Sequence, residues 1–176
     1  MNNQQQLETE RLYLRPVTIE DASDIYEYSK DQNVGPNAGW KPHKSIDDTL
    51  EIMKLIFLDQ KNIFGIVLKE SGKLIGTLGL IDDPKREYDR VKMLGYAIGA
   101  RYWGKGYMTE AAKAVVNYGF EVLDLQLISA YCFPFNDRSK RVLAKLGFIH
   151  EGTLSLCEQQ YNGEVYDNEC YALIRK

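Results

Sequence analysis

Residues 101–110, with the sequence RYWGKGYMTE, combine glycines, basic side chains and a hydroxyl in one short segment. Gly104 and Gly106 allow a tight turn and a close approach of the backbone to a ligand. A helical pattern follows, and the unpaired amides at a helix start bind phosphate groups with help from the helix dipole. The spacing is not that of the dinucleotide-binding GxGxxG motif, because Met108 and Thr109 follow where its third glycine is needed. The segment therefore predicts either a phosphate-binding loop or a simple connection.

Two segments carry a local positive charge although the chain as a whole is acidic. Residues 101–113 have a net charge of +2 and residues 137–145 a net charge of +3. The 176-residue chain has a net charge of −3 and a pI near 5.5, which argues against a generally basic nucleic-acid-binding surface. A bound polyanion would therefore meet a local patch. The alternative is that both segments are solvated helix faces.

Cysteine and histidine are too sparse and too widely spaced to predict a disulfide framework or a metal centre. The three cysteines, Cys132, Cys157 and Cys170, form no CxxC pair, and His43 and His150 lie far apart. No HExxH, GxSxG or GxxxxGK[ST] string occurs. Residues 1–6 are polar, which predicts no secretory signal, and no apolar run approaches the roughly 18–20 residues of a membrane span. A cytoplasmic protein without nucleic-acid or membrane partners is expected.

Hydrophobic periodicity and turn residues predict one domain over residues 1–176. We expect strands at residues 11–15, 62–69, 73–81, 92–98, 127–133, 148–157 and 164–174. Helices are expected at about residues 18–28, 45–60, 107–120 and 137–146, with a loop at residues 33–42. Hairpins combine with one strand–helix–strand crossover, so the predicted fold class is α+β, with helices on the faces of a mixed, mostly antiparallel sheet.

Several strings, in register along the chain, resemble the GNAT superfamily of acetyl-CoA-dependent N-acetyltransferases. The pattern Arg-x-x-Gly-x-Gly before a helix resembles the pyrophosphate loop of that superfamily. The chain resembles the RimJ/RimL-like branch of this superfamily in five motifs. They are residues 8–16 (ETERLYLRP) with Asp21, 104–111 (GKGYMTEA), Asn136 with Ser139, 146–148 (LGF) with 151–152 (EG), and 162–163 (NG) with 166–167 (YD). The resemblance covers residues 7–173, and several motifs in order are far more specific than one.

The resemblance implies a GNAT fold with a seven-stranded sheet and about four helices, splayed between the fourth and fifth strands. Acetyl-CoA would lie in this gap as co-substrate, and no metal is implied. Backbone groups of Tyr96, Ala97 and Ile98 would pair with the pantetheine arm, which Asn136 would also bind. The Thr109 hydroxyl would assist the amides of residues 103–108 that hold the pyrophosphate. The remaining cofactor-binding candidates are Arg101, Trp103, Gly104, Lys105, Gly106, Tyr107, Met108, Ser139 and Arg141.

The resemblance also implies catalytic roles. The backbone amide of Ile98 would polarise the thioester carbonyl. Many family members protonate the leaving thiolate with a tyrosine on the short fourth helix, but Leu143 occupies that position here. The RimJ/RimL-like branch offers a serine instead, here Ser139. A structural role stays open for both polar residues, because Asn136 would cap the helix and Ser139 would sit in its first turn. Cys132 is interpreted as a packing residue, since the family transfers acetyl directly.

No side chain stands out as the general base. An α-amine with a pKa near 7.8 costs about 1 kcal/mol to deprotonate at pH 7, whereas a lysine or polyamine amine costs about 4–5 kcal/mol. A protein N-terminus could therefore react with water alone as proton acceptor. The candidate acids favour a structural or surface role over that of a base: Glu110, Glu151, Glu158 and Asp167. His150 would titrate in a suitable range but fits a core or surface position equally well.

The acceptor site is expected between the first helices, the loop at residues 35–42 and the last hairpin, where Trp40, Tyr161 and Tyr166 lie. Residues 158–169 have a net charge of −4, which favours a cationic acceptor. The predicted function is acetyl transfer in a ternary complex to a primary amine, foremost a protein N-terminal α-amine, by a homodimer. The alternatives are a polyamine or other small-amine acetyltransferase and a catalytically weak acetyl-CoA-binding sensor, which Leu143 would suit.

Overall fold

The computed structural model describes residues 5–176, which build one twisted sheet with helices on both faces. The predicted absence of a secretory signal rests on residues 1–6, of which residues 1–4 lie outside the described residues. Within the described part, no helix is both long and apolar enough to cross a bilayer.

Eight strands form the sheet in the order β1-β2-β3-β4-β5-β6-β8-β7. All neighbouring strands are antiparallel except β5 and β6, which run parallel. This single parallel pair requires a crossover, which the longest helix provides. The strands are β1 (Leu7–Glu8), β2 (Leu12–Arg15), β3 (Ile63–Leu68), β4 (Leu74–Ile81), β5 (Val91–Ile98), β6 (Leu127–Cys132), β7 (Ile149–Gln159) and β8 (Val165–Ile174).

Five α-helices cover the sheet: α1 (Ala22–Ser29), α2 (Gly35–Ala38), α3 (Ile46–Ile56), α4 (Tyr107–Glu121) and α5 (Asp137–Lys145). Helices α4 and α5 bury Ala111, Val115 and Leu143 in one core on the first face of the sheet. Helices α1 and α3 bury Ile25 and Met53 in a second core on the other face. Both cores are apolar layers packed against the sheet.

The seam between β5 and β6 is short, and this shapes the site. Only residues 91–93 pair with residues 127–129, after which the two strands diverge. On its other side β5 stays paired with β4 as far as Ile98. The later residues of β5 and β6 therefore face each other across a gap, in the position where a splayed sheet was predicted.

The α+β class and the mixed, mostly antiparallel sheet are confirmed, and two elements were not predicted. The sheet has eight strands because Leu7–Glu8 pairs with β2 as a two-residue edge strand. The segment predicted as a loop at residues 33–42 contains α2, with Pro36 in its first turn and Gly39 ending it at φ 88°. Proline at a helix start and a left-handed glycine at its end favour such a short helix. Helix α3 ends at Ile56, four residues before the predicted end.

Candidate active site

A cleft of about 700 Å³ opens where β5 and β6 diverge. Its walls are the ends of these strands, the start of α4, the exposed side of α5 and the segment around α2. The lining is mostly apolar at the strands and basic at α5, where Arg138, Arg141 and Lys145 border it. Within the described residues, Glu158 is the only acidic side chain that lines the cleft.

The glycine loop enters α4 with the geometry of an anion cradle. Gly104 and Gly106 have φ values of 74° and 83°, which strongly favour glycine. A Cβ at Gly104 would meet nothing within 4 Å, so the space in front of the loop is open. Gly106 is the N-cap of α4 and contributes no side-chain cap, which leaves the first helical amides of Tyr107, Met108 and Thr109 pointing along the axis without an intrahelical partner. A phosphate group fits this arrangement.

An ion pair behind the loop fixes its position. Glu110 accepts hydrogen bonds from the backbone N–H of Arg11 (2.9 Å), the Arg11 guanidinium (2.7 Å) and the Thr9 hydroxyl (2.7 Å). Arg11 in turn donates to the carbonyl oxygen of Lys105 at 3.1 Å. Burial alone would raise the pKa of Glu110, but these hydrogen bonds lower it below its ordinary value. Glu110 is therefore a structural anchor behind the loop, and its carboxylate has no free access to an amine.

The free edge of β5 presents its amide groups to the cleft. The N–H of Gly99 donates to the carbonyl oxygen of Ile75 at 2.9 Å, on the β4 side. Because backbone N–H groups alternate in direction along a strand, the N–H groups of Ile98 and Tyr96 point the other way, where β6 has diverged. The carbonyl oxygen of Ile98 accepts from Trp103 Nε1 at 3.0 Å, which ties the strand end to the glycine loop.

A hydroxyl pair lies at the inner end of the cleft. Tyr96 Oη and Ser139 Oγ are 2.7 Å apart, and both side chains line the cleft. Burial raises the pKa of Tyr96, so its phenol stays protonated at neutral pH. The pair supplies two exchangeable protons beside the gap between the strands. Leu143 is fully buried in the core below, so a tyrosine hydroxyl is delivered here from β5 and not from α5.

Asn136 both caps α5 and contacts the opposite wall. Its side-chain oxygen accepts from the N–H of Ser139 at 3.1 Å, which is an N-cap bond. Its amide nitrogen donates to the carbonyl oxygen of Asn37 in α2 at 3.0 Å. The capping role considered for Asn136 is therefore present, and the same bond holds Ser139 in the first turn of α5.

Cys132 lines the cleft close to this hydroxyl pair, and its environment opposes ionisation. The side chain is 8% exposed, and burial raises the pKa of its thiol to about 11. A reactive cysteine needs a lowered pKa, so this thiol has the properties of a packing residue. All three cysteines are free within the described residues.

The basic candidates separate into two groups. Arg141 and Arg138 line the cleft from α5, and the Arg138 guanidinium lies 4.0 Å above the Trp103 ring. Arg101 instead forms an ion pair with Glu27 at 3.4 Å beside a separate small depression, and Lys105 does not line the cleft. The other predicted cofactor-binding residues, from Tyr96 and the glycine loop to Asn136 and Ser139, border the cleft together.

The candidate bases are scattered, and only one reaches the cleft. Glu151 pairs with Arg86 at 2.5 Å, and the Asp167 carboxylate accepts from the N–H of Leu156 at 2.7 Å. His150 pairs with Glu169 at 2.5 Å on the outer strands. Glu158 alone lines the cleft, where it accepts from Asn168 Nδ2 at 2.8 Å and Gln160 Nε2 at 3.0 Å.

The acidic segment at residues 158–169 does not converge on the cleft. Besides Glu158, its acids have partners of their own: Glu164 accepts from Asn162 and Tyr166 in the hairpin, and Glu169 accepts from His150 and Thr153. Of the four acids in this segment, only Glu158 therefore lies where it could meet a cationic acceptor. The segment spans the end of β7, the hairpin turn and β8, so its net charge does not show where each carboxylate lies.

The aromatic candidates occupy different places. Tyr166 packs against Phe133 and Phe135, with ring centroids 5.6 and 5.3 Å apart, on the β8 side of the cleft. Trp40 packs against the second core, and Tyr161 is half exposed at the hairpin. Sequence reasoning missed the Tyr96 hydroxyl and Lys85, which also lines the cleft. Tyr96 could have been found from sequence, because its position on β5 already placed it beside the predicted gap between the strands.

Comparison with known proteins identifies the domain. The family model described as an acetyltransferase (GNAT) domain matches residues 11–149. YoaA of Bacillus subtilis (strain 168), an uncharacterized N-acetyltransferase, is 32% identical over 173 residues, covering 96% of each chain. The ribosomal protein uS5-alanine N-acetyltransferase of Escherichia coli (strain K12) is 27% identical over 159 residues, covering 83% of this chain and 79% of that protein.

Solved structures share the whole architecture. A GNAT-family acetyltransferase from Bacillus anthracis has a TM-score of 0.85 at 28% identity, covering 97% of this chain and 98% of its own. The spermidine N-acetyltransferase of Vibrio cholerae, in complex with CoA and spermine, has a TM-score of 0.78 at 22% identity, covering 94% and 96% of the two chains. The comparison with the spermidine N-acetyltransferase shows a shared fold and no more.

Proposed function

The chain belongs to the GNAT acetyltransferase family and is an acetyl-CoA-dependent acyltransferase, and from this premise we propose that it acetylates protein N-terminal α-amines, as the RimJ/RimL-like branch does. The observation that carries the proposal is one cleft that joins an anion cradle, a free strand edge, a hydroxyl pair and a single carboxylate. Each of these four parts matches one requirement of acetyl transfer.

Acetyl-CoA would supply an acetyl group activated as a thioester. The amides at the start of α4 fit its pyrophosphate, and the basic side chains of Arg138, Arg141 and Lys145 border the same end of the cleft. The N–H groups of Tyr96 and Ile98 on the free edge of β5 fit the amides of an extended pantetheine arm. The Ile98 N–H is the group best placed to polarise an acyl carbonyl at the strand end.

Proton transfer to the leaving sulfur is assigned to Ser139. With the Tyr96 phenol donating to Ser139 Oγ, the serine proton is free to point into the cleft. Amine attack forms the C–N bond and breaks the C–S bond, and the amine proton passes to Glu158. The thiolate takes the serine proton, the Tyr96 phenol passes its own proton to Ser139, and Tyr96 regains a proton from solvent. This arrangement performs the role that Leu143 cannot, and so disfavours the sensor alternative.

We assign Glu158 as the general base that accepts a proton from the amine. It is the one acid that lines the cleft, and Asn168 and Gln160 hold its carboxylate in place. A single carboxylate suits a single α-amine, whose deprotonation at pH 7 costs only about 1 kcal/mol. A polyamine carries several charges, and the described cleft offers no second acid for them. The likeness to the uS5-alanine N-acetyltransferase supports the same acceptor class.

Two further proposals accompany this function. We propose that the protein works in the cytoplasm, because its three cysteines are free within the described residues and its acceptor class is made there. We also propose a homodimer, as the family resemblance implies, which sedimentation of the purified protein tests directly.

The test is a thiol-release assay with acetyl-CoA against N-terminal peptides, spermidine and an aminoglycoside, with calorimetric titration of acetyl-CoA on the same sample. We expect turnover on peptides and none on the other amines. Glu158→Gln should lower kcat/KM for the peptide roughly tenfold or more and leave acetyl-CoA affinity unchanged. Glu8→Gln, which removes a carboxylate that pairs with Lys69 away from the cleft, is the matched control. Turnover confined to polyamines would replace this proposal with the small-amine alternative.

A further inference from the structure

Resting on the proposed function, we propose that the acceptor carries an anionic group close to its α-amine and that Lys85 binds this group. The acceptor class would then be a peptide N-terminus with an acidic side chain in its first residues. A free amino acid shares the same chemistry, and the test below separates the two sources.

Lys85 is a cation at the cleft with no carboxylate bound to it. It lies in the loop between β4 and β5 and lines the cleft with an exposed side chain. Its Nζ lies 4.0 Å from the centroid of the Tyr131 ring. Among residues 5–176, no Asp or Glu oxygen forms an ion pair with it, whereas Arg86 beside it forms two. An ammonium held on an aromatic face retains its attraction for an anion.

A buried network holds the loop so that Lys85 keeps this position. The Asp83 side chain is fully buried and accepts from the N–H of Lys85 (2.7 Å), from Arg86 (3.2 Å) and from the Tyr131 hydroxyl (2.9 Å). Arg86 also donates to the Tyr131 hydroxyl at 2.9 Å and to Glu151 at 2.5 Å. Both carboxylates of this network pair with Arg86, which leaves the Lys85 ammonium available to a ligand.

The residues that contact Lys85 and Glu158, Tyr131 and Asn168, lie on the same face of the sheet. Tyr131 and Cys170 are register partners, and Asn168 lies two residues before Cys170 on β8, so its side chain points to the same face. Tyr131 lies under Lys85, and Asn168 bonds to Glu158. One side-chain step along a strand is roughly 7 Å. The route from Tyr131 to Asn168 combines one strand-to-strand spacing and one side-chain step, roughly 8 Å in all. The α-amine and the second side chain of an extended peptide span a distance of this order.

No side chain covers the surface of β5 at Gly95, beside these two groups. Gly95 lines the cleft on β5, between Leu94 and Tyr96 of the first core, so its missing side chain would point to the second face. A Cβ at Gly95 would meet nothing within 4 Å, and the backbone there does not require glycine. An extended acceptor backbone can therefore lie across this strand.

The charge of Lys85 separates the acceptor classes. A polycation would place a second ammonium near an unpaired lysine, and like charges at short range repel. An acidic side chain at the same place would gain an ion pair. Selection against polyamines and in favour of acidic N-termini would then come from one residue outside the reacting atoms.

The test compares peptides that differ only in the second residue, glutamate or glutamine, with a free amino acid, its amide and spermidine as further acceptors. We expect the glutamate peptide to have a roughly fivefold higher kcat/KM, mainly through KM. Lys85→Met should abolish this preference by lowering kcat/KM on the glutamate peptide to the value on the glutamine peptide. Lys30→Met is the matched control, because Lys30 lies 4.9 Å above the Tyr26 ring and does not line the cleft.

Each outcome decides between the two proposals. Equal turnover of both peptides, or a preference that persists in Lys85→Met, overturns the role of Lys85 and leaves the proposed function standing. Turnover of the free amino acid above both peptides and above its own amide keeps the role of Lys85 but replaces the protein N-terminus of the proposed function with a small acceptor. Absence of turnover on every peptide and amino acid overturns the proposed function, and this inference with it.

Discussion

The Tyr96 phenol oxygen lies 2.7 Å from the Ser139 hydroxyl oxygen, and this contact joins β5 to α5 across the open side of the sheet. The two residues are 43 positions apart in the chain, yet they present adjacent hydroxyls to one cleft. The Asn136 cap orients the serine from below, and burial keeps the phenol protonated. A proton donor assembled from two elements is sensitive to changes in either.

Removing either hydroxyl should slow the chemical step more than it weakens binding. We expect Ser139→Ala to lower kcat roughly 100-fold and Tyr96→Phe roughly tenfold, with acetyl-CoA affinity changed less than threefold. Because the residues act in sequence, the double variant should lose no more than Ser139→Ala alone. Steady-state kinetics with calorimetric binding measures both quantities. Equal kcat in Ser139→Ala and the wild type would remove this residue from the acid role.

Filling the glycine cradle should block acetyl-CoA without unfolding the chain. Gly104→Val adds a side chain to the loop that lines the cleft before α4, and we expect at least a tenfold loss of acetyl-CoA affinity in calorimetry. Gly72→Val is a matched control: Gly72 has φ 70°, and its Cβ would also meet nothing within 4 Å, but it lies in the β3–β4 turn. Both variants share a backbone strain of about 1–2 kcal/mol. A loss of the same size in Gly72→Val would attribute the effect to strain.

Cys132 should prove dispensable for acetyl transfer. With a thiol pKa of about 11, only about one molecule in a thousand carries a thiolate at pH 8. Iodoacetamide should therefore label the exposed Cys157 well before Cys132, as peptide mass spectrometry would show. Cys132→Ala should keep kcat within about threefold. An acetyl group trapped on Cys132 after mixing with acetyl-CoA would contradict direct transfer.

The pair formed by Arg15 and Asp21 should make stability depend on pH. Burial alone would raise the pKa of Asp21, but hydrogen bonds from Arg15 and Thr18 outweigh it and lower the pKa below 3.8. A lowered folded-state pKa stabilises the protein above the unfolded value, and this contribution is lost as the pH falls below 3.8. Asp21→Asn should cost roughly 1–3 kcal/mol of unfolding free energy at pH 7. Urea denaturation between pH 7 and pH 3 should show the difference shrinking, and a constant difference would disprove the linkage.

Much of the fold could be predicted from sequence, because hydrophobic alternation and turn residues act locally. The strand preceding the glycine loop and the stripe of Ala111 and Val115 on α4 placed the crossover correctly. The two-residue strand β1 has too few residues for a pattern, and the composition of α2, Gly-Pro-Asn-Ala, is typical of a turn. In elements this short, tertiary contacts determine the secondary structure more than the local sequence does.

Cleft residues could be predicted where they belong to one local sequence motif. They could not be predicted where the cleft is formed by segments that are distant in the chain. The glycine loop, Asn136 and Ser139 belong to local motifs, and they line one cleft. Glu158 reaches the cleft after an irregularity in β7, where Leu156 has φ 47° and the register with β8 shifts. No periodicity in the sequence indicates such a bulge. Lys85 depends on a buried carboxylate network in which Tyr131 lies 48 residues from Asp83 and Glu151 lies 65 residues from Arg86.

The short seam between β5 and β6 also links ligand binding to folding. Three register pairs join the part of the sheet formed by β1–β5 to the part formed by β6–β8. A ligand in the gap replaces the missing inter-strand contacts, so its binding energy holds the two halves together. A ligand at a hundredfold excess over its Kd adds about 2.7 kcal/mol to the native state. We expect acetyl-CoA to raise the melting temperature and to slow amide hydrogen exchange most at the ends of β5 and β6, so that the halves unfold as one cooperative unit.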